Sequence, residues 1–428
     1  MDRRSALAAI AGLAAGCGRR ARTTTASERT GTPATPGTDA EVGFTHVRAT
    51  GNRYATGGGD LGAVEPVDVA LDRPPAWLAG VADGDAVWAV VADDGTASAV
   101  RTGGTDAKRV TAAPPQLPAG APPVVTAADR GVAFLRRPAD IAAGSAPLPV
   151  AGGEESGGGI AYVAADGDLV LALEETHRLA LDAPQDARVV AAGEGRLAVL
   201  ADATDRYRHG ALGDDTEAGS VAVVGVGDDP GVEARYTAEG VFEALSPIVA
   251  DVAGDGRPEV VVTESGDRGA REVAFGAGTR RGPPVGSRFR WRHQLAVAPF
   301  APDGVPEIAA VRTPHIGGVA EFYRADDGLD LAATLDGGYR SHEFGSRNLD
   351  GGLAADADGD GRPELIVPVR DRESLAVVDR TADGAREAFR LPVGGRLTTN
   401  LAATPLPGGG LALAAGHAGG LRAWVTRP

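Results

Sequence analysis

The sequence has one cysteine, Cys17, and one lysine, Lys108, among its 428 residues. A single cysteine cannot form a disulfide within the chain, which excludes a disulfide-stabilised scaffold. Arginine therefore carries almost all of the positive charge of the 42 basic residues, and 58 acidic residues bring the net charge to −16. This balance excludes a generally basic, phosphate-seeking surface, so we expect no nucleic-acid partner.

An acidic, lysine-poor composition resembles that of proteins adapted to high salt, as in haloarchaea. A GC-rich genome also favours arginine over lysine, and this alternative explains the arginine but not the acid excess. We therefore expect a halophilic archaeal protein.

The N-terminus lacks an apolar run long enough to span a membrane stably. Arg3 and Arg4 precede a short, Ala-rich segment that ends in small residues before Cys17. This is typical of a targeting segment, and it resembles a twin-arginine signal with a lipobox. An ordinary secretory signal with an incidental cysteine is the alternative. We expect residues 1–17 to export the protein, Cys17 to carry a lipid anchor on the extracellular face of the cell membrane, and residues 18–43, rich in Thr, Pro and Gly, to form a disordered tether.

The most informative stretch is residues 356–367, DADGDGRPELIV, in which three aspartates alternate along a short turn. Gly359 and Gly361 allow this turn to fold back, because glycine adopts positive φ without steric cost. Hard oxygen ligands at positions 1, 3, 5, 7 and 9 are what Ca²⁺ accepts. An acidic Asp-Gly turn without metal is the alternative. The expected Ca²⁺ ligands, with Arg362 using its backbone carbonyl, are Asp356, Asp358, Asp360, Arg362 and Glu364.

Related turns recur earlier in the chain. Residues 251–262 repeat the pattern but have Ala253 at the third position, so we expect a weaker site formed by Asp251, Asp255, Arg257 and Glu259. Residues 301–311 keep the Asp-Gly-x-Pro-Glu ending, but the first and third ligand positions of this turn are Pro299 and Ala301. We therefore expect no metal there. The final glutamates of the three turns are 48 and 57 residues apart, a spacing that indicates the blades of a β-propeller.

These stretches resemble FG-GAP/VCBS repeats, the repeats of β-propellers similar to the head of integrin α chains. The resemblance covers residues 244–425 directly and is strongest at 356–367. It implies Ca²⁺ in loops between the first two strands of some blades. Members of this family include adhesins, scaffolds and some enzymes, so the resemblance does not assign an activity.

From residue 44 onwards, short apolar runs alternate with Gly, Asp-Gly and Pro turns, which predicts an all-β fold. We predict a β-propeller of mostly four-stranded antiparallel sheets, with seven blades because the second and third runs could share one, and eight blades as the alternative. The C-terminal strands should pair with an early strand near residues 67–71, so that no sheet edge stays free. The eight apolar runs are residues 77–95, 124–136, 160–173, 188–201, 247–263, 295–311, 353–367 and 401–416.

In a propeller, the loops opposite the metal turns lie between second and third strands and between blades. In this chain those loops concentrate Arg, His, Tyr and Trp, which suit an anionic or sugar-like ligand. Alternatively, the arginines pair with acids across blades and the aromatics plug the channel. The candidate ligand-binding residues are Arg290, Trp291, Arg292, His293, Arg340, Arg347 and Arg372. The catalytic candidates, if the protein is an enzyme, are Tyr207, His209, Arg312, His315 and His342.

Two functions follow from these patterns. We favour a lipid-anchored, Ca²⁺-stabilised propeller that binds a glycan or protein partner at the cell surface without catalysis. The alternative is a polysaccharide lyase, in which arginine neutralises a uronate carboxylate and His or Tyr moves the proton. The lyase requires a base and a neutralising cation in one cavity, whereas the binding protein requires an exposed apolar patch at its mouth.

Overall fold

The computed structural model describes residues 42–104, 106–110, 116–128, 131–150, 158–193 and 195–427. The predicted signal, Cys17 and residues 18–41 of the predicted tether lie outside this part of the chain. Residues 42 and 43, predicted as the end of the tether, instead form a strand. Within the described ranges there is no helix with the length and apolar character needed to cross a membrane.

The described residues form strands throughout, which confirms the all-β prediction. In chain order the strands are β1 Val42–Gly43, β2 Tyr54–Gly58, β3 Val67–Ala70, β4 Pro75–Asp83, β5 Asp85–Ala92, β6 Ala97–Gly103, β7 Asp106–Arg109, β8 Val125–Ala128, β9 Gly131–Phe134, β10 Leu148–Val150, β11 Gly159–Val163, β12 Asp168–Ala172, β13 Thr176–Ala180, β14 Val190–Ala191, β15 Arg196–Thr204, β16 Glu217–Gly225, β17 Gly231–Phe242, β18 Ile248–Ala250, β19 Glu259–Gly266, β20 Gly269–Phe275, β21 Thr279–Arg281, β22 Arg292–Ala298, β23 Glu307–Arg312, β24 Val319–Ala325, β25 Leu329–Asp336, β26 Leu353–Asp356, β27 Glu364–Pro368, β28 Ser374–Thr381, β29 Gly384–Pro392, β30 Leu397–Pro405, β31 Leu411–His417 and β32 Gly420–Val425.

These strands pair into seven hydrogen-bonded sheets, and sequence neighbours pair antiparallel. Four-stranded sheets are β4 to β7, β10 to β13, β22 to β25, and β3-β32-β31-β30. The sheet β26 to β29 gains β2 in parallel, and β1-β8-β9 has three strands. The eight-stranded sheet consists of two four-strand groups, β14 to β17 and β18 to β21, joined by the pairing of β17 with β19.

The eight predicted apolar runs fall on eight different groups of strands. The second and third runs contain β8-β9 and β11-β12, which belong to separate sheets, so these two runs do not share one sheet. The second run lies in a three-stranded sheet that takes its third strand, β1, from the start of the described chain.

The predicted pairing of the two ends of the chain is confirmed. Strand β3 pairs antiparallel with β32, with Val67 opposite Ala423. An ion pair between Asp68 and Arg422, 2.6 Å apart, joins the same two strands. The C-terminal sheet is therefore completed by an early strand, which removes one free edge.

Adjacent sheets pack face to face and bury the central strands on both sides. In β27, Ile366 packs against Leu401 and Leu413 of the following sheet, whereas Leu365 and Val367 pack against Phe322 and other residues of the preceding sheet. A strand covered on both faces needs apolar side chains at consecutive positions. This explains why the sequence shows short continuous apolar runs rather than alternation.

Residues 44–53, which we call the axial segment, were not predicted to have a special role. Their backbone carbonyls accept hydrogen bonds from Ala191 before β15, Val249 of β18 and Ala354 of β26. The side chain of Asn52 exchanges two hydrogen bonds of 2.8 and 2.9 Å with the backbone of Val297 in β22. One segment therefore contacts the first strands of several sheets at once.

The buried carboxylate of Asp350 fixes the axial segment in place. It accepts hydrogen bonds from Thr45 Oγ1 at 2.7 Å, Arg53 Nε at 2.8 Å and Arg188 Nη1 at 2.8 Å. Burial alone would raise the pKa of Asp350, but the charges of Arg53 and Arg188 outweigh it and hold the pKa below its usual range. A buried charge of this kind is tolerated because it is paired and hydrogen-bonded.

Candidate functional site

The structure places the acidic turns and the arginine-rich loops at opposite strand ends, as the sequence predicts. The acidic turns connect β18 to β19, β22 to β23 and β26 to β27. The loops rich in Arg and His connect second to third strands, or one group of strands to the next. Because neighbouring strands are antiparallel, these two sets of connections leave the sheets at opposite ends.

Three carboxylates converge in the turn between β26 and β27. One oxygen each from Asp356, Asp358 and Glu364 lies within 4.8 Å of the others. Asp360 is not one of the three converging groups, and its Oδ2 accepts a hydrogen bond from Arg362 Nη2 at 2.8 Å. Backbone N–H groups of Gly359 and Gly361, both at positive φ, donate to Asp356 at 2.8 and 3.2 Å.

The converging carboxylates are costly to hold together without a positive charge. Burial, together with the charges of Asp358, Asp360 and Asp356, raises the pKa of Glu364 to about 8. Burial also raises the pKa of Asp356. A cation between these oxygens would remove the repulsion, and an all-oxygen set suits Ca²⁺.

The corresponding glutamates of the two related turns are each neutralised by arginine. Glu259 pairs with Arg280 at 3.3 Å. Glu307 pairs with Arg380 at 3.1 Å and with Arg324 at 3.3 Å. Glu364 has no ion pair with an arginine among the described residues. The turn at 356–364 is thus the one of the three in which a bound cation would supply the missing positive charge.

The weaker predicted site at residues 251–259 has the same backbone fold. Asp251 accepts hydrogen bonds from the backbone of Asp255 and Gly256 at 3.1 and 2.7 Å, and Glu259 accepts one from Val252 at 2.9 Å. This turn therefore adopts its form while Arg280 pairs with its last glutamate, Glu259, and while Ala253 replaces the third-position carboxylate. Arg257, the expected carbonyl ligand, donates its own N–H to Asp255 at 2.9 Å.

The C-terminal end of strand β2 packs directly on the acidic turn at 356–364. The sequence did not indicate this contact. A Cβ on Gly58 would lie 2.1 Å from Asp356 Oδ2, so only glycine fits this approach. Gly59 and Leu61 donate backbone hydrogen bonds to the carbonyls of Asp356 and Ala357.

On the opposite side, four loops line an open cavity of 480 Å³, which we call the arginine cavity. It contains four guanidinium groups, one carboxylate and two imidazoles. Sequence analysis had singled out four of its residues; the others lie in the same loops but were not separated from their neighbours. The lining residues are His315, Arg340, His342, Glu343, Phe344, Arg370, Arg372 and Arg396.

The guanidinium groups of this cavity repel one another. Burial and the charges of Arg370 and Arg396 lower the pKa of Arg340. Arg372 and Arg396 share one counter-charge, because Glu343 Oε1 lies 2.6 Å from a terminal nitrogen of each. A negatively charged ligand would relieve this repulsion and could accept paired hydrogen bonds from planar guanidiniums.

The two histidines of the cavity are neutral at neutral pH. Burial lowers the pKa of His315 to about 4 and that of His342 well below its usual value. Their rings lie 4.4 Å apart, and Nε2 of each is buried without a hydrogen-bond partner among the residues that the structure describes. Nδ1 of His342 lies 3.0 Å from Ser341 Oγ. Unpartnered buried nitrogens beside a cavity are positioned to meet a polar group from a ligand.

Trp291, Arg292 and His293 were predicted as ligand contacts, but they are interior residues. Trp291 is 2% exposed, and its Nε1 donates to the carbonyl of Glu243 at 3.1 Å. Arg292 pairs with Glu321 at 2.8 Å, and His293 stacks on the Trp291 ring. Strand β22 begins at Arg292 and is buried along its whole length in the packing between sheets, and Nδ1 of His293 has no hydrogen-bond partner among the described residues.

The remaining predicted residues have internal partners or lie outside the arginine cavity. Arg312 pairs with Glu321 at 2.6 Å, and His209 Nδ1 lies 2.5 Å from Glu243 Oε1. Tyr207 accepts the N–H of Phe289 at 2.6 Å. Arg347 pairs with Asp186 at 3.0 Å and with Asp214. Arg290 is exposed and donates to the carbonyl of Phe289.

Exposed apolar side chains lie in the same set of loops. Phe344 is 64% exposed and Ile316 is 71% exposed. The Phe344 ring lies 5.2 Å from that of His315, which places it at the edge of the arginine cavity. Arg372 holds a positive φ of 62°, a strained backbone of the kind that often occurs at functional sites.

Comparison with known proteins supports the fold alone. No protein-family model matches this sequence, and no curated protein matches it. The chain is similar to the quinohemoprotein alcohol dehydrogenase of Comamonas testosteroni, with a TM-score of 0.50 and 11% identity over 89% of this chain and 79% of that one. It is also similar to a quinohemoprotein alcohol dehydrogenase of Pseudomonas putida, with a TM-score of 0.50 and 10% identity over 90% of this chain and 80% of that one. The neighbours and the repeated four-stranded sheets make the fold propeller-like.

Proposed function

We propose that this protein is a binding protein that takes an acidic ligand, on a glycan or protein partner, in the arginine cavity. The observation that carries the proposal is the concentration of four guanidiniums around one carboxylate in a chain of net charge −16. Such a local reversal of charge favours an anion and guides its approach. Phe344, exposed beside His315, offers an apolar face for a sugar ring or an apolar side chain.

The scaffold we propose is an eight-bladed propeller. Seven hydrogen-bonded sheets, one of them made of two four-strand groups, provide eight groups in chain order. The β3–β32 pairing supports closure of the ring between the last group and the first. The resemblance of the acidic turns to FG-GAP/VCBS repeats is consistent with this scaffold.

We propose that Ca²⁺ binds Asp356, Asp358 and Glu364 and has a structural role. The absence of an arginine partner on Glu364 among the described residues, in contrast to Glu259 and Glu307, supports a cation at this turn. Asp360 and the Arg362 carbonyl complete the proposed set when Asp360 leaves its ion pair with Arg362.

The proposed location is the extracellular face of the cell membrane. The N-terminal sequence supports twin-arginine export and a lipid anchor at Cys17, and the acid excess supports a halophilic archaeal origin. An acidic surface with one local cationic cavity remains soluble in high salt and still offers a site for an anion.

A second function, uronate lyase activity, has one favourable observation. His315 and His342 are neutral and share a cavity with arginines, so a base and a neutralising cation lie together. Of the other catalytic candidates, Tyr207, His209 and Arg312 do not line this cavity. The favoured proposal remains binding without catalysis.

The test is a glycan array of acidic and neutral saccharides, probed with the full-length protein in high salt with Ca²⁺ and read for both binding and product release. Selective retention of acidic glycans without cleavage is the expected result. Unsaturated products would identify a lyase. Binding of neutral glycans only would contradict an acid-binding cavity, and binding of none would exclude a glycan and direct the same test to acidic peptides.

A further inference from the structure

The arginine cavity contains its own carboxylate, Glu343, in the position of a bound acid. Its Oε1 lies 2.6 Å from Arg372 Nη1 and 2.6 Å from Arg396 Nη2. Burial opposes ionisation, but the hydrogen bond from Arg396 and the charge of Arg372 lower the pKa of Glu343. The carboxylate is therefore ionised at neutral pH and forms ion pairs with two of the four guanidiniums.

The other two guanidiniums have no ion pair with any acid in the part of the chain that the structure describes. Arg340 donates one hydrogen bond, to the carbonyl of Pro314 at 3.0 Å. Arg370 makes no hydrogen bond or ion pair with any described residue. The cavity is thus divided into one pair of arginines that is neutralised from within, Arg372 and Arg396, and one pair that is open, Arg340 and Arg370.

We propose that Glu343 is an internal competitor that restricts the arginine cavity to ligands with a single acidic group. This inference rests on the proposed acid-binding function and concerns its specificity. One carboxylate of a ligand contacts Arg340 and Arg370. A second carboxylate nearby must either displace Glu343 from Arg372 and Arg396 or lie beside it, and like-charge proximity makes both unfavourable. The ligand class is a saccharide unit with one isolated carboxylate, rather than a run of adjacent uronates.

Half of the Glu343 side chain is exposed, so its effect is screened by solvent and is moderate. The Glu343→Gln variant keeps the size and one hydrogen-bond acceptor but removes the charge. The matched control is Glu233→Gln, because Glu233 is 48% exposed, pairs with Arg196 at 2.6 Å and does not line the cavity.

The experiment is isothermal titration of the full-length protein with galacturonate, which has one carboxylate, and digalacturonate, which has two. The wild type and Glu233→Gln should bind digalacturonate about threefold more weakly than galacturonate, because the second carboxylate of digalacturonate meets the charge of Glu343. In Glu343→Gln the affinity for digalacturonate should rise about fivefold and that for galacturonate less than twofold, because exposed charge contacts each contribute modestly.

An unchanged preference in Glu343→Gln, with galacturonate still bound, would overturn the role of Glu343 and leave the acid-binding function intact. If neither probe binds the wild type or either variant, the acid-binding function itself fails. If Glu343→Gln does not fold, Glu343→Asp takes its place: the shorter side chain reaches the arginines less well, so the preference should still move towards digalacturonate, and no movement would contradict the proposal.

Discussion

At the scale of single residues, the interior contains ionisable groups whose protonation is fixed by burial. His46 follows Phe44 in the axial segment, with the two rings 5.1 Å apart, and both of its ring nitrogens are buried without partners. Burial lowers the pKa of His46 to about 3 from an ordinary value of 6.5. The folded state therefore holds this histidine neutral, whereas the unfolded chain protonates it near pH 6.5.

This difference predicts acid sensitivity. Because the unfolded state binds the proton more tightly, stability is fully present above pH 6.5 and falls as the pH drops towards the folded pKa. His46 alone should cost about 2 kcal/mol of unfolding free energy at pH 5. His46→Leu should therefore lose about 2 kcal/mol less than wild type between pH 7.5 and pH 5 in urea denaturation. Equal losses in the two proteins would contradict the assignment, and His177→Leu on the outer strand β13 is the control.

At the scale of elements, three turns end in a glutamate at the same position, and these glutamates differ in their counter-charges. The spacing of Asp, Gly and Glu predicted all three turns because these contacts are local. The arginines that neutralise Glu259 and Glu307 could not be predicted, since Arg280 and Arg380 come from other strands and, for Arg380, from another sheet. Local pattern thus identified the turns, and tertiary packing determined which of them lacks a positive charge.

The metal turn gives the prediction at this scale. Ca²⁺ should raise the Tm of the wild type, and at a hundredfold excess over Kd the gain is about 2.7 kcal/mol. Asp358→Ala removes one converging carboxylate and should abolish most of this gain, measured by calorimetry with Ca²⁺ and with chelator. The control is Asp303→Ala, in the turn between β22 and β23, which has no acid at its first and third positions. This variant should keep the gain in stability with Ca²⁺. An Asp358→Ala protein that gains as much as wild type would exclude this site.

The loops on the other side illustrate a second limit of sequence reasoning. Their residue types and their side of the fold were predicted, because strand order determines where each loop emerges. Which side chains reach the cavity depends on loop backbone: Arg372 enters it from a positive φ, whereas Trp291 turns inwards and Arg312 pairs with Glu321. An arginine that binds a ligand and one that pairs internally look alike in the sequence.

At the scale of the whole molecule, the axial segment connects sheets that are distant in sequence. It was not predicted because its contacts, such as Thr45 with Asp350 and Asn52 with Val297, join residues that no local pattern relates. Its backbone carbonyls and the side chain of Asn52 hydrogen-bond to first strands from several sheets, so its stabilising effect is shared by all of them.

Removal of this segment should therefore destabilise the whole described domain rather than one sheet. A chain beginning at residue 54 leaves Asp350 buried with Arg188 as its remaining guanidinium partner. Loss of a partner from a buried charge costs about 3–5 kcal/mol. Calorimetry should show a single transition at lower Tm than for a chain beginning at residue 42. Identical transitions for the two chains would contradict a role for the axial segment in holding the sheets together.

The central claim is that the arginine cavity binds an acid, and Arg370 tests it most directly because it has no internal partner among the described residues. The measurement is the Kd of galacturonate for the full-length wild type, Arg370→Gln and the exposed control Arg196→Gln at one fixed high salt concentration. We predict about tenfold weaker binding to Arg370→Gln, as expected for loss of one charge-assisted hydrogen-bonding group, and an unchanged Tm of this variant. The control Arg196→Gln should have the Kd of the wild type. Equal affinity of the wild type and Arg370→Gln would contradict the account.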